Sequence, residues 1–318
     1  MVEEDRAMTS GPGRAAAGAE LSALLDRVPS LAGQPRAVTE LAGGLTNRNY
    51  QVTTPAGRFV ARHWSAGGDL LAIDRDCEFR NSVIAAQAGV GAPVIDYRPG
   101  DRLLILGFID GRTLGNDDVA APRNIPRIAA ACRRLHAAAR FANDFDMFEI
   151  QRRYAGVARS AGMRIPAGYA GLAPAFEACR KALAVRAEGT VPCNNDLLAA
   201  NFIDDGDRIW LIDYEYSGNN DPCFELGNIA AECGLSRDAL ADLVTAYYGR
   251  ARRSRIARAQ LFGLVARYGW TLWGAIQHAT SVLDFDFWSW AMERFEAAAR
   301  GFADAGFGAL LAAAGEGD

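Results

Sequence analysis

The chain has 318 residues, 50% hydrophobic and 23% charged, which exceeds one ordinary domain and suits two lobes sharing a cleft over a sizeable core. A formal net charge of -4 and the lack of any long basic block argue against a nucleic-acid partner. No uncharged apolar run reaches the length of about 18 residues that membrane insertion needs, so composition points to small-molecule chemistry.

In chain order, Met1 to Gly18 has no basic region followed by an apolar core, so it reads as a disordered tail of a cytoplasmic protein. Leu21, Leu24, Leu25 and Val28 have helical spacing from Ala19 on, closed off by Pro29. Strand patterning follows at Ala37–Leu41, Tyr50–Thr53 and Phe59–Trp64, with a tight loop through Gly43, Gly44, Leu45, Thr46, Asn47 and Arg48 and a turn at Pro55–Gly57. Strands joined by such a loop can cover nucleotide phosphates through backbone N–H groups, glycine permitting the close approach; a plain hairpin is the other reading. The third strand carries Arg62, and the helical run Ile73–Ala88 carries Glu78. Strands at Val94–Tyr97 and Arg102–Ile109 then lead into Asp110-Gly111-Arg112. An apolar strand leaving into a glycine-containing linker suits a hinge, where backbone groups of Gly107, Phe108 and Ile109 can pair with an adenine edge. Helical periodicity takes over at Ile125–Ala139, Ile150–Ser160 and Leu172–Arg186. The expected fold class is therefore α+β, with a β-rich nucleotide-binding lobe over 19–109 and a helical catalytic and substrate-binding lobe over 110–318.

From Val191 to Asp213 the chain reads V-P-C-N-N-D-L-L-A-A-N-F-I-D-D-G-D-R-I-W-L-I-D. Asp196 and Asn201 stand five residues apart, and a second strand-like run ends on Asp213. This is the layout of a phosphoryl-transfer site, in which an Asp accepts the hydroxyl proton and an Asn and a later Asp hold magnesium. The alternative is a hairpin with acidic ends. Under the first reading Arg62 is the phosphate-gripping cation and Glu78 its partner. Lys181 is the only lysine of the chain, and a guanidinium can grip two phosphate oxygens at once. The six cysteines include no C-x-x-C pair and the three histidines are far apart, so the thiols read as reduced and buried rather than zinc-bound.

Beyond an N-cap and first-turn proline at Asp221-Pro222, the next helix carries Glu232. Helices are expected at Leu240–Tyr248 and Arg255–Gln277, the latter with Trp270 and Trp273 on one face. Phe285, Phe287, Trp288 and Trp290 open another, with Arg294 and Phe295 behind them. Core packing and a ligand cage both explain this aromatic cluster.

The ordered motifs L-A-G-G-L-T-N-R-N-Y, F-V-A-R-H-W, F-I-D-G-R-T-L, N-D-L-L-A-A-N-F-I, L-I-D-Y-E-Y-S-G-N-N-D and Y-G-W-T-L-W-G-A-I-Q resemble the choline and ethanolamine kinases, within the aminoglycoside-phosphotransferase-like group. The resemblance implies a bilobal protein-kinase-like fold, ATP and Mg²⁺ as cofactors, and transfer to the hydroxyl of a small amino alcohol, choline first. It also implies that Glu215 and Tyr216 stand beside the metals and the acceptor, that Glu232 lies by the ammonium, and that Trp270 and Trp273 face it, with Phe285, Phe287 or Trp290 closing the sides. Two departures are visible: Asn194 stands where the family has His, and the position near Arg237 holds no ring. An aminoglycoside or amino-sugar kinase and a silent kinase-like binding protein are the alternatives. A homodimer is compatible with either.

Overall fold

The structure, a computed structural model, describes residues 21–41, 44–64, 68–187 and 189–317. The expected 1–18 tail, the start of the helix from Ala19, and Gly43 lie outside these residues. Two compact units emerge, one of residues up to Trp64 with Ile95–Phe108, the other of Ser65–Val94 with Ile109 onward.

The first unit is built on a five-stranded sheet of β1 (Ala37–Leu41), β2 (Asn47–Thr54), β3 (Gly57–Trp64), β4 (Val94–Arg98) and β5 (Leu103–Gly107), in the order β1-β2-β3-β5-β4. Alternate residues share a face of a strand, and here Tyr50, Val52, Ala61, Leu103 and Ile105 are buried against Leu21, Leu25, Val28 and Leu31. Asn47 and Arg48, expected in the loop, already belong to β2, whose register pairs Asn47 with Trp64. Gly44 makes the early start possible: a Cβ there would collide with the Asn47 carbonyl oxygen, so the chain reverses within three residues. The β2–β3 turn is closed by Thr54 Oγ1, which accepts from Ala56 N and donates to the Gly57 carbonyl, both at 3.2 Å.

The second unit opens with the Arg75–Gln87 helix, where Asp74 accepts from Cys77 N at 2.9 Å as N-cap. Two small sheets follow: β6 (Arg112–Thr113), β8 (Phe202–Asp204) and β9 (Ile209–Leu211) form one, and β7 (Val191–Cys193) with β10 (Gly218–Asn220) the other. The Ile125–His136, Met147–Ser160 and Ala173–Ala184 helices match the expected periodic runs to within three residues at each end. Asp146, accepting from Phe148 N, starts the second of these three residues early. Asn116–Ala120 and Phe307–Gly315 are helices too short for periodicity to reveal.

The 28-residue Arg253–Thr280 helix is the axis of this unit, with Met147–Ser160, Pro222–Cys233 and Phe287–Phe302 packed on it. Among the described residues no helix is long and apolar enough to cross a membrane. Gly227 and Gly263 sit at the crossing of Pro222–Cys233 with the long helix, where a Cβ on Gly227 would stand 2.8 Å from Gly263 N and collide with the Ala259 carbonyl oxygen. Helix propensity alone favours alanine at Gly227 by about 1 kcal/mol. Overpacking two backbones costs more, so Gly227→Ala is expected to destabilise the protein by about 1–3 kcal/mol. A denaturant midpoint equal to or above that of the parent protein would mean the helices part freely.

Candidate active site

β7 delivers the chain into the loop 194–201, and pairing with β10 holds that loop at its base, Cys193 facing Gly218. Both polar atoms of the Asn194 side chain are used: Oδ1 accepts from Asp196 N (3.1 Å), while Nδ2 donates to the carbonyls of Ile212 (3.1 Å) and Asp213 (2.8 Å). Asn194 thus ties the loop to the segment that follows β9, as a side chain able both to donate and to accept can do. Asn195 takes a left-handed conformation, φ 67°, which asparagine tolerates better than most residues. Its Nδ2 donates to the carbonyls of Cys193, Tyr216 and Gly218, and its Oδ1 accepts from Asn220 Nδ2. The fully buried carboxylate of Glu225, in the first turn of Pro222–Cys233, accepts Asn194 N at 2.8 Å and Asn195 N at 2.7 Å. His136 Nε2 lies 3.7 Å from the same carboxylate.

Asn201 Nδ2 donates to the Asp196 carbonyl at 2.7 Å, which leaves its amide Oδ1 for another partner. The β8–β9 hairpin turns through Asp204–Arg208, where Asp204 Oδ1 accepts Gly206 N and Asp205 Oδ1 accepts Asp207 N and Arg208 N. Arg127 clamps Asp204 by two hydrogen bonds of 2.6 Å. The hairpin returns the chain so that Ile212 N donates to the Asn201 carbonyl at 3.0 Å, with Asp213 next in sequence. Asp213 itself has φ 65°, a strained backbone of the kind found at functional sites. Asp196, Asn201 and Asp213 are thus joined through one loop and one hairpin, as their spacing suggested. An amide oxygen and carboxylates form the hard-oxygen set that magnesium takes, so these residues fit the ion.

Part of the Asp196 surface is open to solvent, yet the packed surroundings and the nearby Asp213, Glu232 and Glu215 push its pKa well above the ordinary aspartate value. Burial is the larger cause, and Arg294 pulls the other way. Arg75 Nη1 bridges two acids, donating to Glu78 at 2.6 Å and Glu215 at 3.2 Å.

The aromatic cluster is real and largely buried. Trp270 (3% exposed) donates from Nε1 to Asn228 Oδ1 at 3.0 Å, and Trp273 (5%) donates to the Tyr216 hydroxyl at 2.7 Å. Tyr216 meets Trp270 edge-on at 5.0 Å, while Trp273 lies 5.0 Å from Trp290 and 5.8 Å from Phe287. Phe285 departs from the expected closed box: it is 42% exposed and packs on Phe287. The cause is local, since Asp286 caps the helix by accepting Ser289 N and leaves Phe285 ahead of the first turn. Glu232 does not stand open either, because Arg294 Nη2 donates to it.

In the first unit Arg62 is buried on β3, its Nε donating to Asn49 Oδ1 at 3.3 Å. Gly44, Leu45 and Thr46 form the turn into β2, where Asn47 Nδ2 donates to Thr46 Oγ1 at 3.3 Å. Gly107 ends β5 opposite Phe59, and Phe108 N donates to the Arg58 carbonyl at 3.1 Å. That N–H is spent within the sheet, which removes it from the donors expected to meet an adenine edge. Ile109 begins the next stretch of the second unit.

Sequence reasoning missed Glu225, Asn195 and Arg75, and it placed Arg294 behind the aromatic group without its pairing to Glu232. An acid in a helix's first turn reads as a partner of the helix dipole, and no local signal separates Glu225 from that ordinary case.

A family model described as "Phosphotransferase enzyme family" matches residues 37–259. A choline/ethanolamine kinase family protein from Mesorhizobium loti has the same fold at a TM-score of 0.83, with 30% identity over 94% of this chain and 99% of that one. The choline kinase LicA from Streptococcus pneumoniae superposes at a TM-score of 0.77, with 22% identity over 89% and 98% of the two chains. Protein LicA of Haemophilus influenzae is 28% identical over 271 residues, 80% of this chain and 77% of that protein.

Proposed function

The chain belongs to the phosphotransferase enzyme family, among the choline/ethanolamine kinases, and on that premise we propose that it transfers the γ-phosphoryl group of ATP to the hydroxyl of choline. The observation that carries this reading is the conjunction, in one unit, of the Asp196–Asn201–Asp213 framework with a largely buried cluster of aromatic rings and the carboxylate of Glu232.

In this mechanism Asp196 accepts the hydroxyl proton as the alcohol oxygen bonds to the γ-phosphorus and the bond to the β-phosphate oxygen breaks, releasing ADP. Asn194 and Glu225 fix the loop backbone, so the carboxylate meets the hydroxyl in a set geometry. Asn201 and Asp213 would hold magnesium, which neutralises charge on the β- and γ-phosphates. Arg62 and Glu78 act as the phosphate clamp, the Gly44–Asn47 turn covers the phosphates, and Gly107 and Ile109 offer backbone groups to the adenine. The division into a nucleotide lobe over 19–109 and a catalytic lobe over 110–318 is part of this reading.

A trimethylammonium group donates no hydrogen bond, so only charge and aromatic faces can hold it, each such contact contributing about 0.5–2 kcal/mol. Trp273→Ala is therefore expected to raise the choline KM by roughly tenfold, the factor that about 1.4 kcal/mol implies, with little change in the KM for ATP. An unchanged choline KM would reduce the tryptophans to core packing. The reading as a whole is tested by measuring ATP consumption with choline, ethanolamine and a panel of aminoglycosides. Turnover confined to the aminoglycosides would overturn it.

A further inference from the structure

Arg294 contacts both an acid and a ring of the cluster just described. Its Nη2 donates to Glu232 Oε2, and its guanidinium carbon stands 3.3 Å from the centroid of the Trp290 ring. Four residues separate Arg294 from Trp290 on one helix, a single turn, so the stacking is a local contact. Trp290 is in turn 5.0 Å from Trp273, whose indole bonds Tyr216. One internal cation thus occupies the two features that hold a tetraalkylammonium ion, an aromatic face and a carboxylate. The side chains of Arg294 and Glu232 are 16% and 4% exposed, so the pair is largely shielded from water. The pair is also incompletely satisfied: Glu232 Oε1 and Arg294 Nε are buried with no hydrogen-bond partner among the described residues. A buried ion pair with unmet hydrogen bonds gains little over its desolvation cost, so another cation can compete for the same carboxylate.

We propose that Arg294 is a specificity-determining residue, an internal competitor that fills the cation position on Trp290 and Glu232 in the free enzyme and is displaced by the ammonium group of the acceptor. The proposal rests on the reading of the acceptor as a cationic amino alcohol. Its consequence is that acceptor affinity is the difference between two cations in one place. An acceptor of the same shape without the charge cannot take the Glu232 carboxylate from the guanidinium.

Binding is measured calorimetrically for tetramethylammonium and for 3,3-dimethylbutan-1-ol, the uncharged carbon analogue of choline, on the parent protein and on Arg294→Met, which keeps the length and apolar body of the side chain. The tetramethylammonium Kd is expected to fall by about tenfold or more in the variant, while the Kd of the neutral alcohol moves by less than about twofold. Equal or weaker tetramethylammonium binding by the folded variant overturns the proposal. If the variant does not fold, the parent protein supplies the test, with phenylglyoxal labelling of Arg294 followed by peptide mass spectrometry. Labelling should accelerate when tetramethylammonium is added, and an unchanged or slower rate overturns displacement. Failure of the substrate reading looks different: choline is not phosphorylated, yet tetramethylammonium still releases Arg294.

Discussion

Asp196→Asn is expected to lower kcat by about 10²–10⁴-fold, the contribution of a positioned general base, while ATP binding stays within about twofold. The substitution keeps the shape of the side chain, and the backbone bonds of the residue, from its N–H to Asn194 Oδ1 and from Asn201 Nδ2 and Leu198 N to its carbonyl, survive. What disappears is the acceptor for the hydroxyl proton. The raised pKa of Asp196 adds a second readout. A carboxyl whose folded pKa lies above its unfolded value favours the native state while protonated, and that stability is lost as pH rises through the folded value. The ionised group therefore opposes folding of the metal-free protein, and Asp196→Asn should melt no lower than the parent above the ordinary aspartate range. In the same protein the proton-accepting form is lost as pH falls, from a higher pH than an ordinary aspartate would show; a bound metal ion would shift that limb downward. Near-normal turnover by the folded variant would remove Asp196 from the role of base.

Glu225→Gln is expected to be nearly as damaging, although Glu225 is a positioning residue with no assigned contact to substrate. Its two oxygens accept the N–H groups of Asn194 and Asn195, and the residue is fully buried. A glutamine can offer one oxygen to one of them and must turn an NH₂ donor toward the other. Losing a charge-assisted bond and stranding a buried donor costs about 2–3 kcal/mol. The loop would also relax around Asp196, and a misplacement of about 1 Å can lower a rate by about 10²-fold. A purely structural role would lower the melting temperature alone. The expected result is a fall in kcat with the KM for ATP nearly unchanged, measured well below the melting transition. Parent-like kcat together with parent-like melting would show that the loop holds its shape without Glu225.

Much of the fold and part of the site were legible because their causes are local. The strands around Tyr50 and Phe59, the glycine-bearing loop between the first two strands, and the N-cap at Asp221 each depend on a few consecutive residues. The reaction class shares this property, since the loop and hairpin between Asp196 and Asp213 are short enough for spacing to dictate which side chains converge. The layout of a phosphoryl-transfer site was legible for that reason, whereas the alcohol as acceptor came from the resemblance of the ordered motifs to the choline and ethanolamine kinases.

Which groups hold that loop, and what fills the pocket beside it, were decided by contacts between distant segments. Glu225 reaches Asn194 across 31 residues and Arg294 reaches Glu232 across 62, and nothing in either neighbourhood of the sequence marks the pairing. Phe285 looked equivalent to Phe287 until the Asp286 cap left it exposed ahead of the helix. A motif records which donors, acceptors and rings a segment brings. The tertiary structure decides which of them are already spent on one another: the Phe108 N–H on the Arg58 carbonyl, the Glu232 carboxylate on Arg294, and the Trp290 face beneath that same guanidinium. Burial makes each of those internal pairings compete with a ligand, because a buried polar group left without a partner is costly.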